Sequence, residues 1–465
     1  MQTLVTRSGR RKQNIPSLSP LENITGQFAI YRDQLEFFQK EREAKGDIFR
    51  FRFAVLPMVF IGHPDHMHHV LVGNHENYDK DTLLFRAGKA VLRDGLTANP
   101  GGESWHQQRK LMQPAFHRQS LPLIAENIID LTAERLHKWE SQLDTDGGVE
   151  VNDIAKDVGD LAVRIVVRSL FGVDMGDQGV DMGDRIENFL QDFIQVNKIF
   201  GTFFRKPFPP LSWRRSLRVQ IRKLDDFVSD LMTIRIQQRG AQRDLFSMLF
   251  NAVDEETGQR LTEKQLAVEI LNILLAGYET TTLALSWAFY HIGDKPEVQR
   301  RIQAEVDEIL DGRIPEFTDL PKLTYTRMVV DEALRLCPPG WMTARHAIAD
   351  DEIDGFFIPA GANLHLNIFL MHRHPQFWPD PMIFDPDRFG QEAAAARPRH
   401  AYLPFGSGPR HCLGKHFALT ELHLIIVMLA QAFHVTRPAG LPPVRFSPLA
   451  TLHPSTNIQL RLERR

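Results

Sequence analysis

Apolar residues recur at three- and four-residue spacing across most of the interval from Ser104 to Arg313, and that period predicts a helical bulk. Ahead of it, "GQFAIYRDQLEFFQKEREAKG" has helical spacing with a glycine stop, and "DIFRFRFAVLPMVFIG" alternates apolar with polar, which predicts a strand pair. Two breaks interrupt the helical part: the Gly- and Asp-rich "GVDMGDQG" and the Pro-rich "RKPFPPLSW" at Arg205 to Trp213. The second separates amphipathic helices that end near Phe200 and start near Arg215. After "VVDEALRLCPPG" the texture changes to "ARHAIADDEIDGFFIPAGANLHLNIF", short strands with an Asp354-Gly355 hairpin signal. A last long helix is expected from Leu413 to about Phe433, then short strands to the end. Residues up to about Pro20 read as a loose arm.

The most apolar helical run, Leu266 to Ile292, would reach roughly 40 Å at 1.5 Å per residue, long enough to span a bilayer. Glu269, Asn272 and Glu279 lie inside it and polar segments flank it, so a buried core helix is expected instead. Its middle, "LLAGYETTTL", joins an acid to three threonines. Threonine is β-branched and Gly277 costs roughly 1 kcal/mol against alanine in a helix interior, so helix stability alone does not select this stretch.

Composition narrows the class. With 465 residues, 43% hydrophobic and 24% charged, the chain has material for a large core, which excludes disordered and fibrous classes. A formal net charge of -3 gives no general attraction to nucleic acid or anionic membranes. The two cysteines, Cys337 and Cys412, rule out a disulfide framework and suit a reducing compartment; the basic N-terminal stretch has no apolar core of signal-peptide length behind it. A cytoplasmic protein without a transmembrane anchor is expected. Length alone would suggest about three domains, but no linker supports a split.

Candidate chemistry concentrates at "PFGSGPRHCLGKHFALTELHLIIVMLAQAF". Cys412 stands at a helix N-terminus, where unpaired N–H groups and the dipole favour thiolate over thiol. Glycines let backbone approach something bulky and flat, and Arg410 sets a fixed cation two residues away. A buried free cysteine is the plainest alternative; zinc lacks a second ligand at suitable spacing. The pattern F-x-x-G-x-R-x-C-x-G, filled by Phe405, Gly408, Arg410, Cys412 and Gly414, resembles the haem-binding loop of the cytochrome P-450 family.

Other segments carry the same resemblance, in family order. "EALR" supplies Glu332 and Arg335, three apart on one helical face, and "FDPDRF" adds Arg388, the third member of the family's structural Glu-Arg-Arg cluster. Asp387 stands where the family usually has Glu. "GGESWHQQRKLMQPAF" is similar to the family's W-x-x-x-R helix. The resemblance implies that Trp105 and Arg109 hold one haem propionate and that Arg345 holds the other. "AGYETT" matches the family's A/G-G-x-D/E-T-T/S segment, which implies that Ala276 and Gly277 flatten a helix face beside the haem. Glu279 and Thr280 are then the acid and alcohol that manage protons; Thr281 and Thr282 are left to helix packing or back-bonding. Cys337 is expected to be structural.

The resemblance covers nearly the whole chain. It implies a single domain over residues 1–465, mainly α with smaller β-sheets, holding haem b between a long central helix and the Cys412 loop with the helix after it; the Cys412 sulfur is the axial ligand of the iron. The implied activity is a monooxygenase that inserts one atom of O2 into an apolar fatty acid, terpenoid or polyketide, most simply as a hydroxylation. No flavin or iron–sulfur module is present in the sequence, so electrons from NAD(P)H are expected through a separate ferredoxin or flavodoxin and its reductase, with Arg109, Lys110, Arg118, Arg399 and Lys415 as docking candidates. Leu84, Phe85, Trp341, Met342 and Ala450 are the expected pocket residues of a monomeric enzyme. A peroxide-driven peroxygenase and a non-catalytic haem-thiolate sensor are the rival classes. The Glu279-Thr280 pair argues against both.

Overall fold

The computed structural model describes residues 13–53, 56–144, 147–172, 213–237 and 244–465, with short pieces between 188 and 196. Most of the Gly/Asp-rich break, the expected helix end near Phe200 and the Arg205 to Ser212 stretch lie outside the described residues.

Two helices open the described chain, α1 (Pro20–Arg32) and α2 (Gln34–Lys45), where one was expected. Asp33 divides them: its backbone is extended and its carboxylate accepts from the N–H groups of Leu35 and Glu36, capping α2. Gly46, at φ 90°, ends α2. The arm before α1 is not loose from Gln13 onward. Ile15 and Leu18 are buried, and Gln13 and Ser17 bridge to Phe356 and Arg50, because apolar side chains in this stretch find a sheet to cover.

The strand pair is present as β1 (Ile48–Phe53) and β2 (Leu56–Ile61). Then come α3 (Pro64–His68), β3 (Tyr78–Asp79), α4 (Leu83–Leu92), α5 (Gly102–Met112), α6 (Leu121–Glu140), β4 (Gly148–Val151) and α7 (Ile154–Phe171). The helical run continues with α8 (Trp213–Gln237), α9 (Leu245–Phe250), α10 (Glu263–Asp294), α11 (Pro296–Leu310) and α12 (Thr324–Leu336). Next are β5 (Met342–Ala347), β6 (Asp351–Ile353), β7 (Phe356–Ile358), β8 (Asn363–Asn367), α13 (Ile368–Met371) and α14 (Gln391–Ala395). The chain closes with α15 (Lys415–Ala432), β9 (Phe433–Thr436), β10 (Phe446–Pro448), β11 (Leu452–Pro454) and β12 (Leu460–Arg464). The Asp354-Gly355 turn joins β6 to β7 with both residues at positive φ, as the hairpin signal predicts. The largest sheet runs β1-β2-β8-β5-β3. Mainly helical architecture with small sheets is therefore what this chain adopts.

Helix α10 organises the helical part. Thr262 and Gln265 form its capping box. Its first half, through Tyr278, packs into a core with α7, α8 and α9; its second half, from Ala284, packs into another with α6, α7, α11, α12 and α15. The polar residues Glu279 to Thr282 fall at the seam between these two cores. No helix among the described residues is long and apolar enough to cross a membrane.

Candidate active site

The loop before α15 is shaped by glycine. Gly406 and Gly408 have φ of 68° and 70°, and a Cβ on Gly408 would stand 1.8 Å from the Leu71 carbonyl oxygen. Cys412 N–H donates to Phe405 O at 2.9 Å, and Gly414 caps α15. Phe405 packs against the larger core. The Cys412 side chain is accessible, yet burial pushes its thiol up; the Gly414 N–H, Arg109 and Lys415 pull the other way. The expected preference for thiolate is thus not met by the helix N-terminus alone, because desolvation outweighs it.

On α10, Ala276 is the exposed position in a run whose neighbours are mostly buried. Gly277 does not share that face. A Cβ there would stand 2.9 Å from Val166 Cγ2, so its bare backbone lets α7 approach α10. Thr280 Oγ1 donates to Ala276 O at 2.7 Å, and Thr282 Oγ1 back-bonds to Tyr278 O at 2.7 Å. Thr281 instead donates to Glu421 on α15 at 3.3 Å, a buried acid whose carboxyl desolvation pushes well above its usual range. Glu279 is held from another side: its Oε1 accepts from Thr451 Oγ1 at 2.8 Å and lies 3.0 Å from His453 Nε2.

Four cations gather beside the loop. Arg410 lies over the ring of buried Trp105 at 4.3 Å and donates to the carbonyls of Asn99 and Pro100. Arg109 donates to His411 O at 3.1 Å, which ties α5 to the loop, and Arg345 donates to Ala344 O and Thr343 Oγ1. Lys80, absent from the sequence expectations, donates to Thr97 O at 3.0 Å, and burial together with Arg345, Arg410 and Arg109 pushes its ammonium well below its usual range. Burial also lowers Arg109, Arg345 and Arg410. Among the described residues none of the four has a carboxylate within ion-pair distance. Asp79 offsets Arg345 and Arg410 only in part and from beyond contact; desolvated cations so weakly balanced are costly, and a ligand bringing two carboxylates would relieve that cost. Haem, with its two propionates, fits these residues, as does the accessible Cys412.

The Glu332–Arg335 pair is fully buried and bidentate, at 2.6 and 2.8 Å. Arg335 also donates to the carbonyls of His372 and Pro381, and Arg388 Nε lies 3.5 Å from Glu332. Asp387 is outside this cluster and pairs with Arg301 at the surface, which explains why Asp in place of Glu leaves the cluster whole. Cys337 is fully buried, its thiol pushed up to about 12 by desolvation.

A cavity beside β5 is lined by Phe38, Met58, Leu84, Trp341, Met342, His365 and Ala450 among others. Met342 and Ala344 face it while Arg345, one residue on, turns to the cation cluster, as strand alternation requires. Of the five expected pocket residues, Phe85 is not in the lining; its ring meets Lys80 Nζ at 4.6 Å. The expected docking surface also changes. Arg109 is buried, and Lys110 is taken up by Asp254 and Glu256 at 2.9 Å each, whereas Arg118, Arg399 and Lys415 are exposed. Thr451 and His453 were missed because nothing local marks them: they reach Glu279 from 172 and 174 residues away.

Comparison with known proteins agrees with this geometry. The Cytochrome P-450 family model matches residues 16–462. Cyclooctat-9-en-7-ol 5-monooxygenase of Streptomyces melanosporofaciens is 32% identical over 412 residues, 89% of this chain and 87% of its own. Cyclooctatin synthase of the same organism is 30% identical, over 88% and 87%. Pentalenene oxygenase of Streptomyces avermitilis is 30% identical over 440 residues, 92% of each chain. With a family match over nearly its full length and monooxygenase-named relatives at about 30% identity, the chain belongs to the cytochrome P-450 family and is an oxidoreductase of the monooxygenase type.

Proposed function

We propose that this monooxygenase hydroxylates a cyclic terpenoid, as a single cytoplasmic domain that receives electrons from a separate ferredoxin or flavodoxin and its reductase. The observation that carries the substrate class is the predominantly apolar cavity wall, with Leu84, Trp341, Met342 and Ala450 against the few polar side chains Gln34, Thr82, Asn363 and His365; Ala450 is one residue from Thr451, which bonds Glu279. Relatives named for cyclooctat-9-en-7-ol and pentalenene support the same class over fatty acids or polyketides. Such a wall recognises by shape and by displaced water, so a rigid hydrocarbon skeleton suits it.

Haem supplies O2 activation when bound, with a thiolate ligand favouring O–O cleavage. The chain's own residues do the rest. Cys412 would offer the sulfur; Lys80, Arg109, Arg345 and Arg410 would neutralise the propionates, and Trp105, with Arg410 over its ring, would help orient them. Ala276 leaves room on α10. Glu279 and Thr280 bring protons, the carboxylate as carrier and the hydroxyl as the local donor once it leaves the Ala276 carbonyl. Apolar surroundings keep bulk water from delivering protons in their place. An intact acid and alcohol pair supports O2 as oxidant over peroxide. The electron donor would dock on Arg118 and Lys415, which flank His416 beside the Cys412 loop.

The test is Thr280→Ala in the haem-loaded enzyme with surrogate ferredoxin and reductase, on a panel of cyclic terpene hydrocarbons and alcohols. Soret shifts on substrate binding should persist while reducing equivalents drain to peroxide. Coupling equal to wild type would remove Thr280 from proton delivery, and a panel without any Soret shift would remove the substrate class.

A further inference from the structure

The β10–β11 hairpin is anchored through Leu452 and meets α10 at Trp287 and at Glu279. Leu452, fully buried, points into the core; its N–H donates to Pro339 O at 3.0 Å and its carbonyl lies 3.4 Å from Trp287 Nε1. Strand alternation then throws Thr451 and His453 to the opposite side, where both meet Glu279. His453 Nε2 is 3.0 Å from Glu279 Oε1 and 3.0 Å from Thr451 Oγ1, whose own hydroxyl donates to the same carboxylate oxygen. The His453 side chain is 27% exposed and that of Glu279 14%, so the imidazole is the more solvent-accessible of the pair.

We infer that His453 is the residue through which solvent protons reach Glu279, which rests on the proton-delivery role given to Glu279 above. Two groups, the Thr451 hydroxyl and the His453 ring, meet the same Glu279 oxygen, so a proton arriving from outside can enter at that atom. Imidazole is the side chain that changes charge near neutral pH, and its Nε2 is already within proton-transfer distance of Oε1. From the imidazolium form, the Nε2–H bond breaks as the Oε1–H bond forms, leaving neutral imidazole beside neutral acid, and hydronium from solvent then reprotonates the ring and leaves water. One proton moves inward and nothing is oxidised or reduced. Thr451 holds Oε1 in place, which makes it a positioning residue.

The test compares His453→Asn, which keeps an N–H donor for Glu279 but carries no proton, with wild type, Glu279→Gln and Thr280→Ala. The haem-loaded enzymes are run with ferredoxin, reductase and a terpene that shifts the Soret band. For His453→Asn the ratio of NADPH-driven to peroxide-driven product should fall about tenfold, since peroxide brings its own protons. A measurement independent of turnover is the 15N spectrum of histidine-labelled ferric protein: the His453 Nε2 resonance should move in Glu279→Gln and in Thr451→Val. Two results overturn the inference alone: His453→Asn keeping the wild-type ratio while Glu279→Gln and Thr280→Ala lose it, or an Nε2 resonance indifferent to Glu279. Equal loss of both kinds of turnover in His453→Asn would make the residue structural and also overturn it. If Glu279→Gln and Thr280→Ala keep the wild-type ratio as well, the underlying proton-delivery role falls, and this inference with it.

Discussion

Two ion pairs of nearly equal geometry should differ several-fold in what they contribute. Glu332 and Arg335 meet at 2.6 and 2.8 Å with neither side chain exposed; Arg301 and Asp387 meet at 2.7 and 2.8 Å with side chains 51% and 58% exposed. Glu332→Gln leaves the Arg335 cation buried without its anion, at a cost of about 3–5 kcal/mol. Asp387→Asn acts in solvent, where such pairs contribute about 1 kcal/mol or less. The buried pair also has a mechanical consequence. Arg335 grips the carbonyls of His372 and Pro381, and Asp385 N–H donates to Glu332 Oε1, so the pair ties α12 to the segment that leads into the Cys412 loop. Urea titration of the haem-loaded proteins, followed by far-ultraviolet circular dichroism and by the reduced carbon monoxide spectrum, measures both effects. Glu332→Gln should lower the urea midpoint strongly and lose thiolate ligation before global unfolding, with Asp387→Asn close to wild type. Equal midpoints for the two variants would refute the reasoning from burial.

Glu269 is fully buried under two contacts from the Leu96 N–H, and desolvation pushes its carboxyl up to about 7. A raised carboxyl binds its proton more tightly in the native state, so stability present below about pH 4.5 is lost as pH rises through 7, by about 3 kcal/mol in all. Glu269→Gln should flatten that decline in urea midpoints between pH 5 and 8; a parallel decline in both proteins would show that other groups cause it. Gly408→Ala should displace Leu71 from the Cys412 loop, and unaltered haem occupancy in that variant would contradict the 1.8 Å approach. Lys80→Met should speed haem transfer to apomyoglobin about tenfold, the equivalent of one charge-assisted contact; a wild-type rate would take Lys80 out of the propionate site.

Which side chains stand together was legible wherever they lie in short, local segments. Phe405 to Gly414, Glu332 with Arg335, and Trp105 with Arg109 each lie within one loop or helix, where spacing alone states which side chains stand together. The Asp354-Gly355 hairpin was legible for the same reason. What depends on tertiary contact was not. Gly277 reads like a gap left for a ligand, but Val166 of α7 fills the space beside it. Lys110 reads as a free surface cation until Asp254 and Glu256 arrive from a distant turn. The single helix expected across Gly26–Gly46 splits because Asp33 caps more strongly than its place in the periodic pattern suggests. Thr451 and His453 sit in an unremarkable strand turn, and only the hairpin's anchoring by Leu452 aims them at Glu279. The polar middle of α10 is now a seam between two cores, with each of its four polar side chains bonded in a different direction.

The most direct measurement is isotopic. The haem-loaded enzyme, with ferredoxin and reductase, is supplied with 18O2 and a cyclic terpene that shifts its Soret band, and the product is weighed by mass spectrometry. The account predicts one 18O per product molecule, with none of that oxygen drawn from water, and a lower ratio of product to NADPH in Thr280→Ala. Product carrying no label, or no oxygenated product from any terpene that binds, would contradict it.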